Sequence, residues 1–205
     1  MKYQVLILAA GCSRRMKKFK PLLPLGKGCI LQSVIDNFKK SGLEDILVVV
    51  GCQRQRVISL LKQEHVSWVV NEAYEDTDML ESVKVGLSAI KADTDAVFIC
   101  PGDVPLIAPA TIQEIIRTYE QGDSPILIPT YKGEMGHPPV YSAAVIQEIQ
   151  NHREDGGLRS FLQRYPFWIR YLPVEDEEVV KDANLPEDYK RILNVYALKK
   201  QEVIQ

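Results

Sequence analysis

The sequence predicts an α/β fold, a parallel or mixed sheet covered by helices, and three observations lead there. Short apolar runs rich in β-branched residues alternate with stretches of helical period. Most of those runs lack polar alternation, so their strands should be buried on both faces. The chain has 205 residues, 46% of them hydrophobic and 25% charged. That is enough for one substantial core, and a single domain over residues 1–205 is expected, with the tail from about 196 to 205 frayed.

In chain order, the expected strands are YQVLILA (3–9), DILVVV (45–50), VSWVV (66–70), AVFIC (96–100), PILIP (125–129), PPVY (138–141) and WIRYLPV (168–174). Between the first two, Leu31, Val34, Ile35 and Phe38 are spaced i, i+3, i+4, i+7 and mark one apolar helical face, which stops at Ser41-Gly42. Leu80, Val83, Leu87 and Ile90 predict a second helix, and Ile112, Ile115, Ile116 and Tyr119 a third. Helical patterns also follow Gly156-Gly157 and open at Pro186.

Composition excludes several function classes. With a net charge of −2 there is no global field to hold a polyanion, so no nucleic-acid partner is implied. No run approaches the ~20 apolar residues of a membrane span, and the N-terminus lacks a signal-peptide pattern. Cys12, Cys29, Cys52 and Cys100 show neither CxxC nor Cys/His spacing. Neither a zinc site nor a disulfide framework is therefore expected, and a reducing, cytoplasmic setting fits.

Ligands of open α/β sheets bind beyond the carboxyl ends of the strands, so the residues there carry the functional reading. After the first strand comes LAAGCSRRMKKFK, with five basic residues between positions 14 and 20. Ala10 and Gly11 let the backbone turn tightly and present N–H groups to an anion, which Arg14, Arg15 and Lys20 could neutralise. The stretch is neither GxxxxGK[ST] nor GxGxxG, and a solvated charge cluster is the alternative. After AVFIC, the Pro101-Gly102-Asp103 turn offers a carboxylate suited to a hard cation, or else a turn aspartate bonding its own backbone. GHPPVY presents His137, EDGGLRSFL presents Gly157 and Arg159, and KDANLPEDY presents Asp182 and Asn184, which could equally be helix-capping residues.

Taken in order, LAAGCSRRMKKFK, PGDVPL, GHPPVY, DGGLR and DANLPED resemble the MobA-like nucleotidyltransferases, most closely their molybdenum cofactor cytidylyltransferase branch, from about Lys2 to about Leu193. The resemblance implies a three-layer, Rossmann-like, mostly parallel sheet of the nucleotide-diphospho-sugar transferase type. It implies a Mg²⁺-dependent enzyme that transfers CMP from CTP to the phosphate of molybdopterin and releases pyrophosphate. A molybdenum hydroxylase apoenzyme would be a partner. The double alanine of LAAG resembles the CTP-using version, where a GTP-using branch has LAGG.

Carried over by position, Leu8, Ala9, Ala10 and Gly11 would hold base and ribose, with Ser82 near the nucleotide. Ser13, Arg14, Arg15 and Lys20 would bind the triphosphate, beside the Pro101-Gly102-Asp103 turn. Asp103 would be the principal Mg²⁺ ligand and Asn184 the second, with Asp182 a close alternative. His137, Gly157 and Arg159 would lie on the acceptor side, and Arg15, Lys20 and Asp103 would carry the catalysis. The chain departs from the family pattern at Lys17, where a glycine is usual, and at Leu80 and Glu81, where small hydroxyl residues are usual. Rival readings are a nucleotidyltransferase for a sugar or polyol phosphate, and a non-catalytic factor that delivers the pterin cofactor to a molybdenum hydroxylase.

Overall fold

The computed structural model describes residues 1–16, 18–76 and 78–202. Lys17 and residues 203–205 of the tail lie outside the described residues.

The chain begins with β1 (Tyr3–Ala9), followed by a short hairpin of β2 (Pro24–Leu25) and β3 (Gly28–Cys29), and then by α1 (Ile30–Lys40). Next come β4 (Ile46–Val50), α2 (Arg54–Gln63), β5 (Ser67–Val70), α3 (Met79–Leu87), β6 (Ala96–Pro101) and α4 (Pro109–Glu120). The second half has β7 (Ile126–Tyr131), β8 (Glu134–Met135), β9 (Val140–Ser142), α5 (Ala143–Asn151), α6 (Gly157–Arg164), β10 (Ile169–Pro173) and α7 (Pro186–Glu202). All seven expected strands are present. The PPVY strand begins only at Val140, because Pro138 and Pro139 have no N–H to give a ladder.

The main sheet runs β10-β7-β9-β6-β1-β4-β5, with β8 hydrogen-bonded to β7. β1 pairs in parallel with both β4 and β6, while β9 is antiparallel to β6 and β7. The chain therefore winds outward from β1 through β4 to β5, then returns to the other side of β1 at β6. That reversal opens a crevice at the carboxyl ends of β1 and β6, where such sheets take ligands.

Side-chain alternation along each strand divides the core into two layers. Val5, Ile7, Val48, Phe98 and Cys100 face α1, α2 and α4, meeting Leu31, Ile35, Leu61 and Ile115. Leu6, Leu47, Val49, Val97 and Ile99 face α3, α5 and α6, meeting Val83, Leu87, Ile149 and Phe161. Phe38 of α1 meets Phe98 of β6 edge-on, ring centroids 6.1 Å apart, a geometry worth about 1 kcal/mol beyond the area buried. Three layers result, as expected. The two outermost strands differ from the expectation of burial on both faces. Ser67 and Trp68 of β5 and Arg170 and Tyr171 of β10 are exposed, because each strand has a neighbour on one side only.

The expected helical faces are in place. Leu31, Val34, Ile35 and Phe38 are all buried, and α1 stops at Gly42, whose φ of 92° is the left-handed glycine stop. Ile90 lies beyond the end of α3 yet packs on the same cluster. α7 does not fray at 196 but continues to Glu202. It is held by a third cluster in which Ile192 meets Leu23, Leu25 and Leu106, and by Tyr189 Oη donating to the Pro24 carbonyl at 2.6 Å.

Candidate functional site

At the crevice lies a pocket of about 550 Å³, lined chiefly by residues 8–16, Lys20, Pro101-Gly102-Asp103, His137, Asp182 and Asn184. Its floor follows from strand register. Leu8 of β1 is paired with Pro101 of β6, and Gly102 N–H donates to the Leu8 carbonyl at 2.9 Å, so the two strand-end turns lie side by side. A Cβ on Gly102 would come within 3.1 Å of that carbonyl oxygen. A side chain there would push the turns apart.

The basic loop turns into the pocket at Ser13, whose φ is 55°. Ser13 Oγ accepts a hydrogen bond from Lys20 N at 3.0 Å, which closes residues 13–20 on themselves. Lys20 is thereby aimed at Asp103. Its ammonium lies 2.5 Å from Asp103 Oδ2, with the two side chains only 15% and 17% exposed. Lys20 Nζ also donates to Asn184 Oδ1 at 3.1 Å, as does Arg15 Nη2 at 3.1 Å. Asn184 Nδ2 in turn donates to Asp182 Oδ2 at 2.6 Å. Four residues chosen from three separated motifs therefore form one hydrogen-bonded cluster, and Asp182 completes it.

These contacts decide between the alternatives left open by the sequence. The Asp103 carboxylate pairs with Lys20, and the Asp103 carbonyl accepts from Ala183 N at 3.1 Å, tying the PGD turn to the segment before α7. Asn184 and Asp182 are not the cap of α7. Asp188 supplies it, accepting from Leu185 N at 2.6 Å. The 182–184 segment is further fixed by Arg191 of α7, which grips the buried Glu178 carboxylate with two bonds of 2.7 and 3.0 Å. Burial, and behind it the Asp103 charge, raises the Asp182 carboxyl above the ordinary carboxylate range.

His137 reaches the pocket from the segment between β8 and β9. Its N–H donates to the Val179 carbonyl at 2.7 Å, the His137-Pro138 bond is cis, and Nδ1 is enclosed without a hydrogen-bond partner. Burial pushes its pKa down to about 4 against the opposing pull of Asp103. The ring is thus neutral at pH 7. Gly157 and Arg159 do not line the pocket. Gly156 and Gly157 both have positive φ, 98° and 64°, forming the turn that starts α6, and Arg159 is exposed. A Cβ on Gly157 would lie 3.6 Å from Asp78 Oδ2, which puts this turn at the rim.

The two departures at 80–81 do not line the pocket. Leu80 is buried in the core, and Glu81 pairs with Lys84 at 2.7 Å. Ser82 does reach the pocket, and its Oγ accepts from Asn71 Nδ2 at 3.0 Å. Tyr74 and Glu75 also line the pocket and were missed from the sequence, although they follow the carboxyl end of β5, the position that identified the other loops. Cys12 was missed as well. It is bonded to Cys52, Cα to Cα 5.1 Å, against the expectation that no cysteines pair. The residues are 40 apart in sequence, and only the pairing of β1 with β4 brings the ends of those strands together.

Asp103, Asp182 and Asn184 offer oxygen donors alone, the chemistry of a hard divalent cation. No group of three or more His, Cys, Asp or Glu able to hold a metal is present among the described residues. A cation here would therefore complete its shell with phosphate oxygens and water. The cluster fits an ion that arrives with a polyphosphate.

Residues 5–168 match the family of the MobA-like NTP transferase domain. The chain is 26% identical to the molybdenum cofactor cytidylyltransferase of Escherichia coli K12 over 185 residues, 90% of this chain and 92% of that protein. It is 33% identical to the bifunctional protein GlmU of Syntrophomonas wolfei over 124 residues, 59% of this chain, and that match spans only 27% of the GlmU protein's length. A solved nucleotidyl transferase from Methanothermobacter thermautotroptrophicus superimposes with a TM-score of 0.84 at 22% identity, covering 97% of this chain and 99% of that one.

Proposed function

From the premise that this chain belongs to the MobA-like NTP transferase family, we propose that it transfers CMP from CTP to the phosphate of a molybdopterin-type acceptor, with residues 1–205 acting as one domain. Its fold is the three-layer, Rossmann-like sheet of nucleotidyltransferases of the nucleotide-sugar type. One observation carries the proposal, the convergence of Arg15, Lys20, Asp103 and Asn184 at the switch point of the sheet. CTP is favoured by the Ala9-Ala10 pair and by the cytidylyltransferase relative, and molybdopterin by that relative alone.

In this reading Ala10 and Gly11 give the nucleotide a wall without side-chain obstruction, and the backbone N–H groups of residues 10–13 face phosphate oxygens. Arg14, Arg15 and Lys20 neutralise the triphosphate. Lys20 exchanges Asp103 for phosphate as the nucleotide enters. Asp103, with Asn184 or Asp182, would then hold a Mg²⁺ ion, which would supply charge neutralisation to the polyphosphate. Position and charge do most of the catalysis, because an acceptor phosphate monoester is already largely ionised at neutral pH and needs no strong base. His137, neutral at pH 7, lies beside the acceptor and positions it by hydrogen bonding. Gly157 and Arg159, outside the pocket, meet the part of a large acceptor that projects past the rim.

The GlmU likeness favours a second reading in which a sugar 1-phosphate is the acceptor. Pyrophosphate release with each of the four NTPs, Mg²⁺ and either molybdopterin or a sugar 1-phosphate separates them. Release with CTP and molybdopterin alone is expected. Release with a sugar phosphate and none with the pterin would replace the first reading by the second.

A further inference from the structure

The bond between Cys12 and Cys52 plays no part in the transfer chemistry, yet one of its ends, Cys12, lies in the wall of the pocket. Ala9 and Val50 are partners in the β1–β4 register, so the residues just beyond them leave the sheet side by side. There the basic loop is fastened to the turn between β4 and α2 at two points. One is a hydrogen bond, Cys52 N–H to the Ala10 carbonyl at 2.9 Å. The other is covalent. Gly51 makes the close approach possible, since a Cβ there would lie 2.8 Å from Ala10 O and 2.7 Å from Tyr74 Cβ. Cys12, Ala10 and Tyr74 all line the pocket, so whatever holds this turn to the loop also shapes the nucleotide's surroundings.

We infer that Cys12 and Cys52 are a redox modification site that sets the affinity of the pocket for its nucleotide. The inference rests on the nucleotide reading above. As a disulfide, the pair holds the loop in the conformation in which Ser13 bonds Lys20 and the backbone beyond Gly11 faces the pocket. As two thiols, it leaves the loop anchored by the Cys52–Ala10 hydrogen bond alone, and nucleotide binding must then order the loop itself. Oxidation proceeds by thiol–disulfide exchange with a small disulfide such as oxidised glutathione. One cysteine thiolate attacks it and expels a first small thiol, and the second cysteine attacks the mixed disulfide and expels another. The protein thiols lose two electrons and two protons, and one small disulfide becomes two thiols. Cys100 is fully buried and Cys29 is half-buried at the start of α1, and both are free thiols.

The test is calorimetric titration of CTP with Mg²⁺ into protein treated with oxidised glutathione and into protein reduced with a phosphine. Cysteines of each form are counted by alkylation after unfolding and mass spectrometry. Two alkylated cysteines are expected after oxidation and four after reduction. The CTP dissociation constant is expected to rise about five- to thirtyfold on reduction, the equivalent of ordering about one further backbone residue. Cys52→Ser should bind as the reduced protein does under both treatments, and the wild-type comparison stands without it. Equal affinity of the two wild-type forms, or four alkylated cysteines after oxidation, would overturn the inference and leave the nucleotide reading intact. Failure of both forms to bind any of CTP, GTP, ATP and UTP would overturn the nucleotide reading, and this inference with it.

Discussion

Lys20 has two carboxamide or carboxylate partners at hydrogen-bond distance, Asp103 and Asn184, and so ties the basic loop to a turn in the middle of the chain and to one near its C-terminal end. Lys20→Ala is expected to lower turnover by about 10²- to 10³-fold, as loss of one preorganised charge contact does. Pyrophosphate release by the purified variant measures it, and wild-type turnover would remove Lys20 from the site. His137 predicts a pH effect of definite sign. Its folded value of about 4 lies below the ordinary 6.5, so between those pH values the unfolded chain holds the extra proton. Stability should therefore fall as pH drops from 6.5 towards 4, by up to about 3 kcal/mol. Urea unfolding of wild type and His137→Gln across that window should show the smaller loss in the variant. Equal slopes would mean that His137 is not the buried neutral ring described.

At this scale much of the pocket was legible, because the strand-end rule draws attention to short loops with unusual residue types. Arg15, Lys20 and Asp103 stand out in that way, His137, Asp182 and Asn184 through the order of the motifs and the family they resemble, and all six line the pocket. Tyr74, Glu75 and Cys12 were not, since a tyrosine, a glutamate or a single cysteine in a loop has no pattern to distinguish it. Arg159, which the resemblance puts on the acceptor side, stands outside the pocket, where the turn presents it to solvent.

Among the elements, α3 packs closely against the central strand β1 at Gly86. A Cβ on Gly86 would lie 2.3 Å from Leu6 Cδ1 and 2.9 Å from Leu6 Cγ, and Leu6 is fully buried. Gly86→Ala gains up to about 1 kcal/mol in helix propensity, but crowding a packed core costs about 1–3 kcal/mol. A lower melting temperature, by about 2–4 °C, is expected from calorimetry; an increase would mean that Leu6 repacks freely. α3 also carries Lys84, whose buried ammonium donates to Glu81 at 2.7 Å and to the His152 carbonyl at 2.8 Å, locking α3 to the end of α5. His152 Nε2 lies 2.7 Å from Ser160 Oγ of α6, so the rim at Gly157 is positioned through this chain of contacts. Helical period revealed the apolar faces of α1, α3 and α4, but these polar links join residues as many as 68 apart. Period alone does not reveal them.

For the whole molecule, the alternation of apolar runs and helical segments gave the layers, whereas strand order was not legible. The placement of β1 between β4 and β6, which makes the crevice, depends on tertiary pairing. So does the Cys12–Cys52 bond, and so does the exposure of the outer strands β5 and β10. No helix among the described residues is long and apolar enough to cross a membrane. The central claim is that the crevice binds a nucleoside triphosphate together with a divalent cation. Calorimetric titration of CTP into the wild-type protein and Asp103→Ala, each with and without Mg²⁺, tests it most directly. Asp103 engages its neighbours through its backbone carbonyl as well as its carboxylate, so the variant should keep its fold. The account predicts Mg²⁺-dependent binding of CTP to the wild type and loss of the Mg²⁺ dependence in Asp103→Ala. Mg²⁺ dependence undiminished in the variant, or no binding of CTP to the wild type, would contradict it.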